Sequence, residues 1–478
     1  MARRFVSGSA TVGAVASLSL SVALATAPSP PSVPTAARAE RMELAVATAD
    51  RLQARDQAIA AGRFGTRQPV VREPAPGWEG ERLVSGVRDD WEPAVATDPS
   101  DPYVYILTTR FGYPKPCPGN CPIPHISLHV SPDGGRSWDP STPLCACKGS
   151  WQYDPIIEVV RDTGDVYAVY LNGFNVLFLK SDDHGETWSD PVKTYGNVSW
   201  NDKPALATSA DGRHIYVSWN GPTGGDPWIA QSHDFGETWT QTKLVDGPRY
   251  FFAYDGVVLD DGTAILTNSS LSYTGPGGAA EGAVRQHLFI SRDRGRTWTN
   301  VVVDRVQLGP PCVTEGCYAD FHSGHSALSA DDDDDLVYVY DGALVAGGPQ
   351  RAWVRTSIDG GRSWSGRTAL SRPGTHTTGP VVEATGDGDF RSWFVEQNDT
   401  GRWNVFHRRS TDGGDTWTPS VLLSDATSGA DYKNADGFLE FYGDYGGIAI
   451  TSSGKTIGVW GEGFSWLGPG GVWFNIGA

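Results

Sequence analysis

Residues Ser410–Trp417 read Ser-Thr-Asp-Gly-Gly-Asp-Thr-Trp, and the chain repeats this octet with small changes. The shared pattern is Ser-x-Asp-x-Gly-x-Ser/Thr-Trp. A short unit that recurs along a chain indicates an architecture built from repeated structural units. The other copies are Ser131–Trp138, Ser181–Trp188, Ser232–Trp239, Ser291–Trp298 and Ser357–Trp364.

The chemistry of the octet predicts a tight turn between two strands. A short Asp side chain accepts hydrogen bonds from the backbone of its own turn, and Gly two residues later adopts a positive φ readily. The closing Trp brings a large apolar surface to a shared core. Apolar residues precede each copy, as at Leu128–Val130, and a short strand follows, as at Val421–Leu423. We therefore interpret the octet Asp residues as turn formers, not as catalysts or ligands.

The octet resembles the Asp-box, or BNR repeat, of the sialidase-like β-propellers. This resemblance implies an all-β fold made of four-stranded antiparallel blades around a central axis. Between the octets lies a second recurring phrase, in which an apolar strand, a short turn and an aromatic strand follow one another. Its copies are Pro93–Leu107, Pro155–Leu171, Pro204–Trp219, Gly256–Leu266, Ser326–Tyr340, Pro380–Val395 and Gly446–Trp460.

Seven such phrases stand against six octets, so one blade lacks its octet. The stretch Trp78–Ser85 resembles the strand that follows an octet, as in Trp417–Ser424. We expect this N-terminal strand to complete the last blade and close the ring. The prediction is a seven-bladed β-propeller, and the alternative is six blades with one degenerate repeat.

The composition and the first residues limit the class of protein. A net charge of -18 argues against nucleic-acid and anionic-membrane partners, which need a basic surface. Residues 1–27 have the pattern of a secretory signal peptide, with Arg3 and Arg4 before an apolar run. We expect a secreted monomer without a membrane span, with a Pro-rich linker and a helical segment in residues 28–66. The propeller is assigned to residues 67–478.

Six cysteines in an exported chain favour disulfide bonds over a metal site. We expect cross-links between two groups in neighbouring loops and a local bridge between the last two cysteines. A four-thiolate zinc site is the alternative for the first four. The groups are Cys117 with Cys121, Cys145 with Cys147, and the pair Cys312 and Cys317.

The residues that begin the first strand of every blade are expected to meet at the axis. They are unusually rich in ionisable groups, and crowding of like charges raises a carboxyl pKa toward that of a general acid. The alternative is that these groups hydrogen-bond neighbouring blades and line a wet channel. The inner ring is Glu92, Asp154, Lys203, Asp255, His325, Gly379 and Tyr445, with Trp91, Tyr153, Asp202, Tyr254, Gly324, Thr378 and Asp444 just outside it.

The resemblance implies a sialidase-like exo-glycosidase. In that chemistry a Tyr nucleophile is paired with a Glu, an Asp is the acid/base, and an arginine cluster binds the substrate carboxylate. The expected catalytic residues are Asp154, Glu92, Asp202, Asp255, His325 and Tyr445. The expected substrate-binding residues are Arg110, Arg249, Arg285, Lys203, Trp91, Tyr254 and Asp444.

Two other functions fit the same residues. A polysaccharide lyase acting on uronate-containing glycans would need a base, a neutralising cation and a Tyr or His as acid, and His322, His325, Tyr254 and Lys203 could fill these roles. A non-catalytic glycan-binding protein would use the aromatic residues alone. A glycan partner is expected in all three cases. No cofactor is expected, and a divalent cation such as calcium, held by the acidic ring or by Asp331–Asp335, is the alternative.

Overall fold

The computed structural model describes residues 73–85, 90–110, 122, 124–145, 151–198, 200–221, 225–274, 280–309, 324–425, 433–434, 437–438, 445–463 and 470–477. These residues form β-strands and turns, with no helix among them. Accordingly, no stretch within them is a helix capable of crossing a membrane. The signal peptide predicted at 1–27 and the linker and helical segment predicted at 28–66 lie outside the described residues.

The strands alternate with short turns along the whole described chain. The first half contains β1 (Arg82–Leu83), β2 (Asp90–Thr97), β3 (Val104–Arg110), β4 (His125–Ser131), β5 (Thr142–Pro143), β6 (Gln152–Val159), β7 (Val166–Asn172), β8 (Val176–Ser181), β9 (Val192–Lys193), β10 (Asp202–Thr208), β11 (Ile215–Asn220), β12 (Pro227–Ser232), β13 (Thr240–Lys243), β14 (Tyr250–Val258) and β15 (Ala264–Ser272). The second half contains β16 (Glu281–Ser291), β17 (Thr299–Gln307), β18 (Ser326–Ala330), β19 (Leu336–Ala343), β20 (Gln350–Ser357), β21 (Thr368–Ala369), β22 (Thr377–Thr385), β23 (Asp389–Gln397), β24 (Trp403–Ser410), β25 (Val421–Leu422), β26 (Lys433–Asn434), β27 (Gly437–Phe438), β28 (Gly446–Ile450), β29 (Thr456–Gly463) and β30 (Gly470–Gly477).

Antiparallel pairing sorts the described strands into four-stranded groups. In chain order, group 1 is β2–β5, group 2 is β6–β9, group 3 is β10–β13, group 4 is β14–β17, group 5 is β18–β21 and group 6 is β22–β25. Group 7 is β28, β29 and β30 with the N-terminal β1 at its edge. Groups 4 and 5 are joined by one residue pair, Gln307 with Ala343, and β26 and β27 form a separate hairpin.

The N-terminal strand closes the last group, as the sequence predicts. Arg82 of β1 pairs with Phe474 of β30, and Trp78 makes an isolated bridge to Gly477. The groups then contact one another through their first strands in the cycle β2, β6, β10, β14, β18, β22, β28 and back to β2. Because the last group contacts the first, chain ends that are distant in sequence share one core.

The hydrophobic cores lie between neighbouring groups. One cluster packs Val104 and Ile106 of group 1 against Ile457 and Phe474 of group 7. Others join groups 1 and 2, 3 and 4, 5 and 6, and 6 and 7. The first strands of all seven groups line a cavity of about 700 Å³. The apolar faces of each group thus pack against the neighbouring groups. The first strands line a common channel with their edges and polar groups.

All six octets fold as the same hydrogen-bonded turn between the third and fourth strands of a group. In the copy at Ser232–Trp239, Asp234 accepts a hydrogen bond from the Thr238 backbone at 2.9 Å, and Ser232 Oγ accepts one from Gly236 N at 3.0 Å. Side-chain and backbone hydrogen bonds from Thr238 lower the pKa of Asp234 to about 2. These carboxylates serve the turn, which confirms that they are scaffold residues.

The octet turn also packs against the preceding group. Trp239 of group 3 packs on Phe178 of group 2, with ring centroids 5.3 Å apart. Gly236 has φ of 83° and lies so close that an added Cβ would fall 2.2 Å from Phe178. The octets therefore set the spacing between groups.

Replacing the octet Trp should reduce stability moderately. Trp239 is half-buried, so Trp239→Ala should lower the free energy of unfolding by about 2 kcal/mol, less than the 3–5 kcal/mol typical of a fully buried Trp. Urea denaturation measures the change. Trp151→Ala, at a side chain that is 56% exposed, is the control and should change stability by less than about 0.5 kcal/mol. An equal loss of unfolding free energy in the two variants would contradict a stabilising contact between the octet Trp and the preceding group.

Candidate active site

Three charged residues near the start of first strands have an unusual backbone conformation. Glu92, Asp154 and Lys203 have φ of 48°, 52° and 51°, and each precedes a proline. Each also sits at a break in strand register, between Trp91 and Ala94 in the first case. Positive φ is rare for such residues, and the residue before proline normally adopts an extended conformation. Strain of this kind concentrates at functional sites, so the start of the first strands is the candidate site.

Residues from distant groups meet at this end of the channel. The Lys203 Nζ of group 3 lies 4.8 Å from the centre of the Tyr445 ring, which directly precedes β28 of group 7. Tyr445, Tyr254, His325 and Gly379 all line the cavity. We call these four residues, with Lys203, the channel mouth. A buried ammonium group above a phenol ring is a cation–π pair, and it places a positive charge beside the axis.

Asp341 holds His325 in place at the channel mouth. Its carboxylate accepts hydrogen bonds from the backbone N–H groups of Gly324 at 2.6 Å and His325 at 3.1 Å. It also accepts from Thr378 Oγ1 at 2.8 Å and Gly379 N at 2.9 Å, which belong to the next group. His325 Nδ1 lies 3.1 Å from Asp341 Oδ2. With Nδ1 donating to Asp341, His325 Nε2 keeps its lone pair, as a general base requires.

Deeper in the channel, three carboxyl groups line the cavity. Glu158 accepts a hydrogen bond from Thr208 Oγ1 at 2.9 Å, and Asp255 accepts one from Leu328 N at 3.0 Å. Burial raises the pKa of Glu158 to about 8 and the pKa values of Asp255 and Glu383 to about 7. These groups bridge neighbouring first strands. The hydrogen bond from Leu328 fits the alternative of a polar residue that links groups, and the raised pKa of Asp255 fits the expected general acid, so its catalytic role stays a prediction.

The channel carboxyls predict a stability that falls with pH. Their folded-state pKa values lie above the ordinary values, so the folded chain binds more protons than the unfolded chain as pH rises from about 5 to about 8. The stability that these three carboxyl groups contribute is fully present below the ordinary carboxyl pKa. It is lost as the pH rises through 7 to 8. We expect Glu158→Gln to reduce this loss by about 1–2 kcal/mol. Urea denaturation across that range tests it, with the exposed Glu237→Gln as control, and an unchanged pH dependence in Glu158→Gln would contradict it.

Arg110, expected to bind substrate, is committed to a buried ion pair. The side chain is 2% exposed, and its Nε and Nη2 lie 2.6 Å and 2.9 Å from the two oxygens of Asp90. Burial acts to raise the pKa of Asp90, but the charge and hydrogen bonds of Arg110 hold it below the ordinary value. His129, 3.4 Å from Arg110 Nη2, has its pKa lowered to about 4, first by burial. This network supports group 1 and leaves no guanidinium face for a substrate.

The other two predicted arginines belong to group 4, and neither lines the cavity. Arg249 donates from Nε to Ser270 Oγ at 2.8 Å and from Nη2 to the Ala283 carbonyl at 2.7 Å. Arg285 lies on β16, the third strand of the group, in register with Ser270. The described residues therefore place no arginine cluster in the lining of the channel, and substrate binding by Arg249 and Arg285 stays a prediction.

The remaining predicted residues have different positions. Trp91 is buried in the core, so it offers no stacking face to a ligand. Glu92 accepts a hydrogen bond from Thr109 Oγ1 at 3.3 Å, while Asp154 and Asp202 are buried at their strand starts. Cys145 is disulfide-bonded, and the proposed pairing stays a prediction because its partners are not described. Asp444, His322, Cys117, Cys121, Cys147, Cys312 and Cys317 lie outside the described residues.

The structure adds residues that the sequence analysis missed. Asp341 is one residue beyond the aromatic phrase that ends at Tyr340, and only its cross-strand position reveals its role. Glu158 and Glu383 each lie four positions after a predicted inner-ring residue, Asp154 and Gly379, and this shared offset was the available signal. Among the described residues, no group of three or more His, Cys, Asp and Glu side chains is arranged to hold a metal ion.

Comparison with known proteins finds solved structures with a similar fold. No family model and no curated protein sequence matches the chain. Among solved structures, the polysaccharide lyase Uly1 is 12% identical over 84% of this chain and 99% of its own, with a TM-score of 0.51. A protein of unknown function from Dyadobacter fermentans is 12% identical over 84% of this chain and 99% of its own, with a TM-score of 0.47. The Hadza microbial sialidase Hz136 is 15% identical over 81% of this chain and 65% of its own, with a TM-score of 0.41. The likeness is one of fold.

Proposed function

We propose that the chain is a secreted seven-bladed β-propeller that degrades a uronate-containing polysaccharide by β-elimination, with its active site at the channel mouth. The observation that carries this proposal is the pairing of Lys203 with Tyr445, at a cavity also lined by Tyr254 and by a His325 held by Asp341. The cycle of first-strand contacts supports the blade count. The fold shared with Uly1, a polysaccharide lyase, is compatible with this class of enzyme.

Each part of the elimination has a candidate residue. Lys203 neutralises the uronate carboxylate and so stabilises the negative charge that develops when the neighbouring C5–H bond breaks. His325 Nε2 takes the C5 proton. The C4–O bond then breaks, a C4=C5 double bond forms, and the phenol of Tyr254 or Tyr445 donates a proton to the leaving oxygen. No water is consumed, because the leaving sugar receives its proton from the enzyme.

A sialidase-like hydrolase is the second candidate. The strained carboxylates Glu92 and Asp154 favour it, because a pair of carboxyl groups can hydrolyse a glycosidic bond. Recognition of sialic acid depends on the guanidinium fork, for which a lysine is a poor substitute. Arg110 is held by Asp90, and Arg249 and Arg285 lie in group 4. We therefore place elimination ahead of hydrolysis.

The product distinguishes the candidates. The protein should release fragments with new ultraviolet absorbance from uronate polysaccharides such as alginate, polygalacturonate and chondroitin, since elimination leaves a double bond conjugated to the carboxylate. A chromogenic sialoside should remain intact. New reducing ends without absorbance would indicate hydrolysis, release of sialic acid would indicate a sialidase, and glycan binding without any product would indicate a non-catalytic protein. Each of these three results would overturn the lyase proposal.

A further inference from the structure

Three arginines at one end of group 4, Arg249, Arg285 and Arg305, form a cluster. Ser270, Arg285 and Arg305 are opposite one another on β15, β16 and β17, and Arg249 is bonded to Ser270. Among the described residues, no carboxylate forms an ion pair with Arg249, Arg285 or Arg305. Like charges directly opposite on neighbouring strands destabilise a sheet, and this protein carries a net charge of -18. The arrangement therefore places like charges side by side with no ion-pair partner among the described residues.

The cluster faces a groove between two groups. Residues opposite one another on antiparallel strands point to the same face of a sheet. Phe251, opposite Ser270, packs in the core with Tyr216 and Ile229 of group 3, so the arginine row lies on the face toward group 3. Arg249 and Arg285 are half-buried and Arg305 is exposed. The guanidinium groups thus sit at the open edge of that core, accessible from solvent.

Nearby acidic residues have other partners. Lys243 at the edge of group 3 lies 2.9 Å from Asp226 and 3.6 Å from Asp246, which is three residues before Arg249. Glu281 accepts a hydrogen bond from Thr274 at 2.7 Å. Burial, and then repulsion from Arg285 and Arg305, lower the pKa of Arg249 to about 10, which fits a cluster of neighbouring cations.

Strand geometry relates the cluster to the channel mouth. Ser270 lies three residues beyond Thr267, which is opposite Asp255, and Arg285 is on the third strand from the axis. With strand rises of about 3.3 Å and strand spacings of about 4.8 Å, the backbone of Arg285 is about 14 Å from that of Asp255. A glycan bound at the mouth can span this distance with a few sugar units.

We propose that Arg249, Arg285 and Arg305 form a subsite for an oxyanion, a sulfate ester or a second carboxylate, on an anionic glycan whose reacting unit lies at the channel mouth. Guanidinium groups bind such oxyanions with paired, charge-assisted hydrogen bonds. The proposal rests on the proposed function for the identity of the ligand as a glycan. It adds that the substrate carries negative charge at more than one sugar unit.

Calorimetric binding of matched oligosaccharides tests the subsite. The probes are a chondroitin sulfate hexasaccharide and its desulfated counterpart, measured in a His325→Gln background so that turnover does not interfere. Arg285→Gln with Arg305→Gln should weaken the Kd for the sulfated probe by about tenfold or more. A selective loss assigns sulfate as the ligand, and an equal loss for both probes assigns carboxylate. Arg136→Gln, on the octet of group 1, is the control and should change neither Kd.

The inference is overturned if the double variant binds both probes as tightly as its parent, or if the parent binds neither. The single Arg305→Gln variant, at an exposed side chain, gives the same test if the double variant folds poorly. Elimination activity is assayed separately on the desulfated chain with His325 intact. Absence of turnover with a selective loss of binding would reject the lyase proposal and retain the subsite, so the two failures are distinguishable.

Discussion

His325→Gln should lower kcat/KM for elimination by about 10²–10⁴-fold while the fold persists. General-base catalysis typically contributes a factor of this size. The Gln amide can still donate to Asp341, which His325 Nδ1 approaches at 3.1 Å, so the packing of the channel mouth should be retained. Steady-state kinetics by ultraviolet absorbance, with thermal melting in parallel, measures both quantities.

His214→Gln is the matched control for that substitution. His214 lies outside the channel, beside His233 of the octet in group 3, with their Nδ1 atoms 2.9 Å apart. This variant should retain wild-type kcat/KM. If His325→Gln retained full activity, or if both variants lost it equally, His325 would not be the base.

Asp341→Ala should cause the largest loss of stability, about 3–5 kcal/mol in the free energy of unfolding. The Asp341 carboxylate is buried and accepts from the backbone of Gly324, His325 and Gly379 and from Thr378 Oγ1. Its removal leaves several buried donors without an acceptor, each at a cost of about 1–3 kcal/mol with partial relaxation. Urea denaturation measures the loss.

Asp260→Ala, at an exposed carboxylate, is the control for this loss of stability. Asp260 pairs with Arg161 at 2.6 Å on the surface, and exposed ion pairs contribute about 0–1 kcal/mol. A loss below about 1 kcal/mol in Asp341→Ala would mean that the two groups joined by Asp341 are held together by other contacts.

The sequence was sufficient for the scaffold because the scaffold is encoded locally. Each octet contains its own hydrogen-bond donors, acceptor and positive-φ glycine, so Ser232–Trp239 predicts its turn without knowledge of the rest. The assignment of Trp78–Ser85 to the last group also followed from a local likeness, and the pairing of Arg82 with Phe474 confirms it. All-β structure in four-stranded antiparallel sheets was therefore predictable.

The candidate site was only partly predictable, because its residues act through contacts between strands. Of the predicted inner-ring residues, Lys203 and Tyr445 contact each other across groups, and Asp255, His325, Gly379 and Tyr445 line the cavity. Whether such a residue faces a ligand depends on what ends the second strand of its group. Arg110 at the end of β3 binds Asp90, and Asp341 near the end of β19 binds His325. These cross-strand pairs have no signature in local sequence.

The most direct test of the account is a crystal structure of the His325→Gln variant with a bound uronate oligosaccharide. The proposed elimination mechanism requires a uronate carboxylate within hydrogen-bond distance of the Lys203 Nζ, with Tyr254 and Tyr445 beside the glycosidic oxygen. An oligosaccharide bound on the octet side of the molecule, with no sugar at the channel mouth, would contradict it.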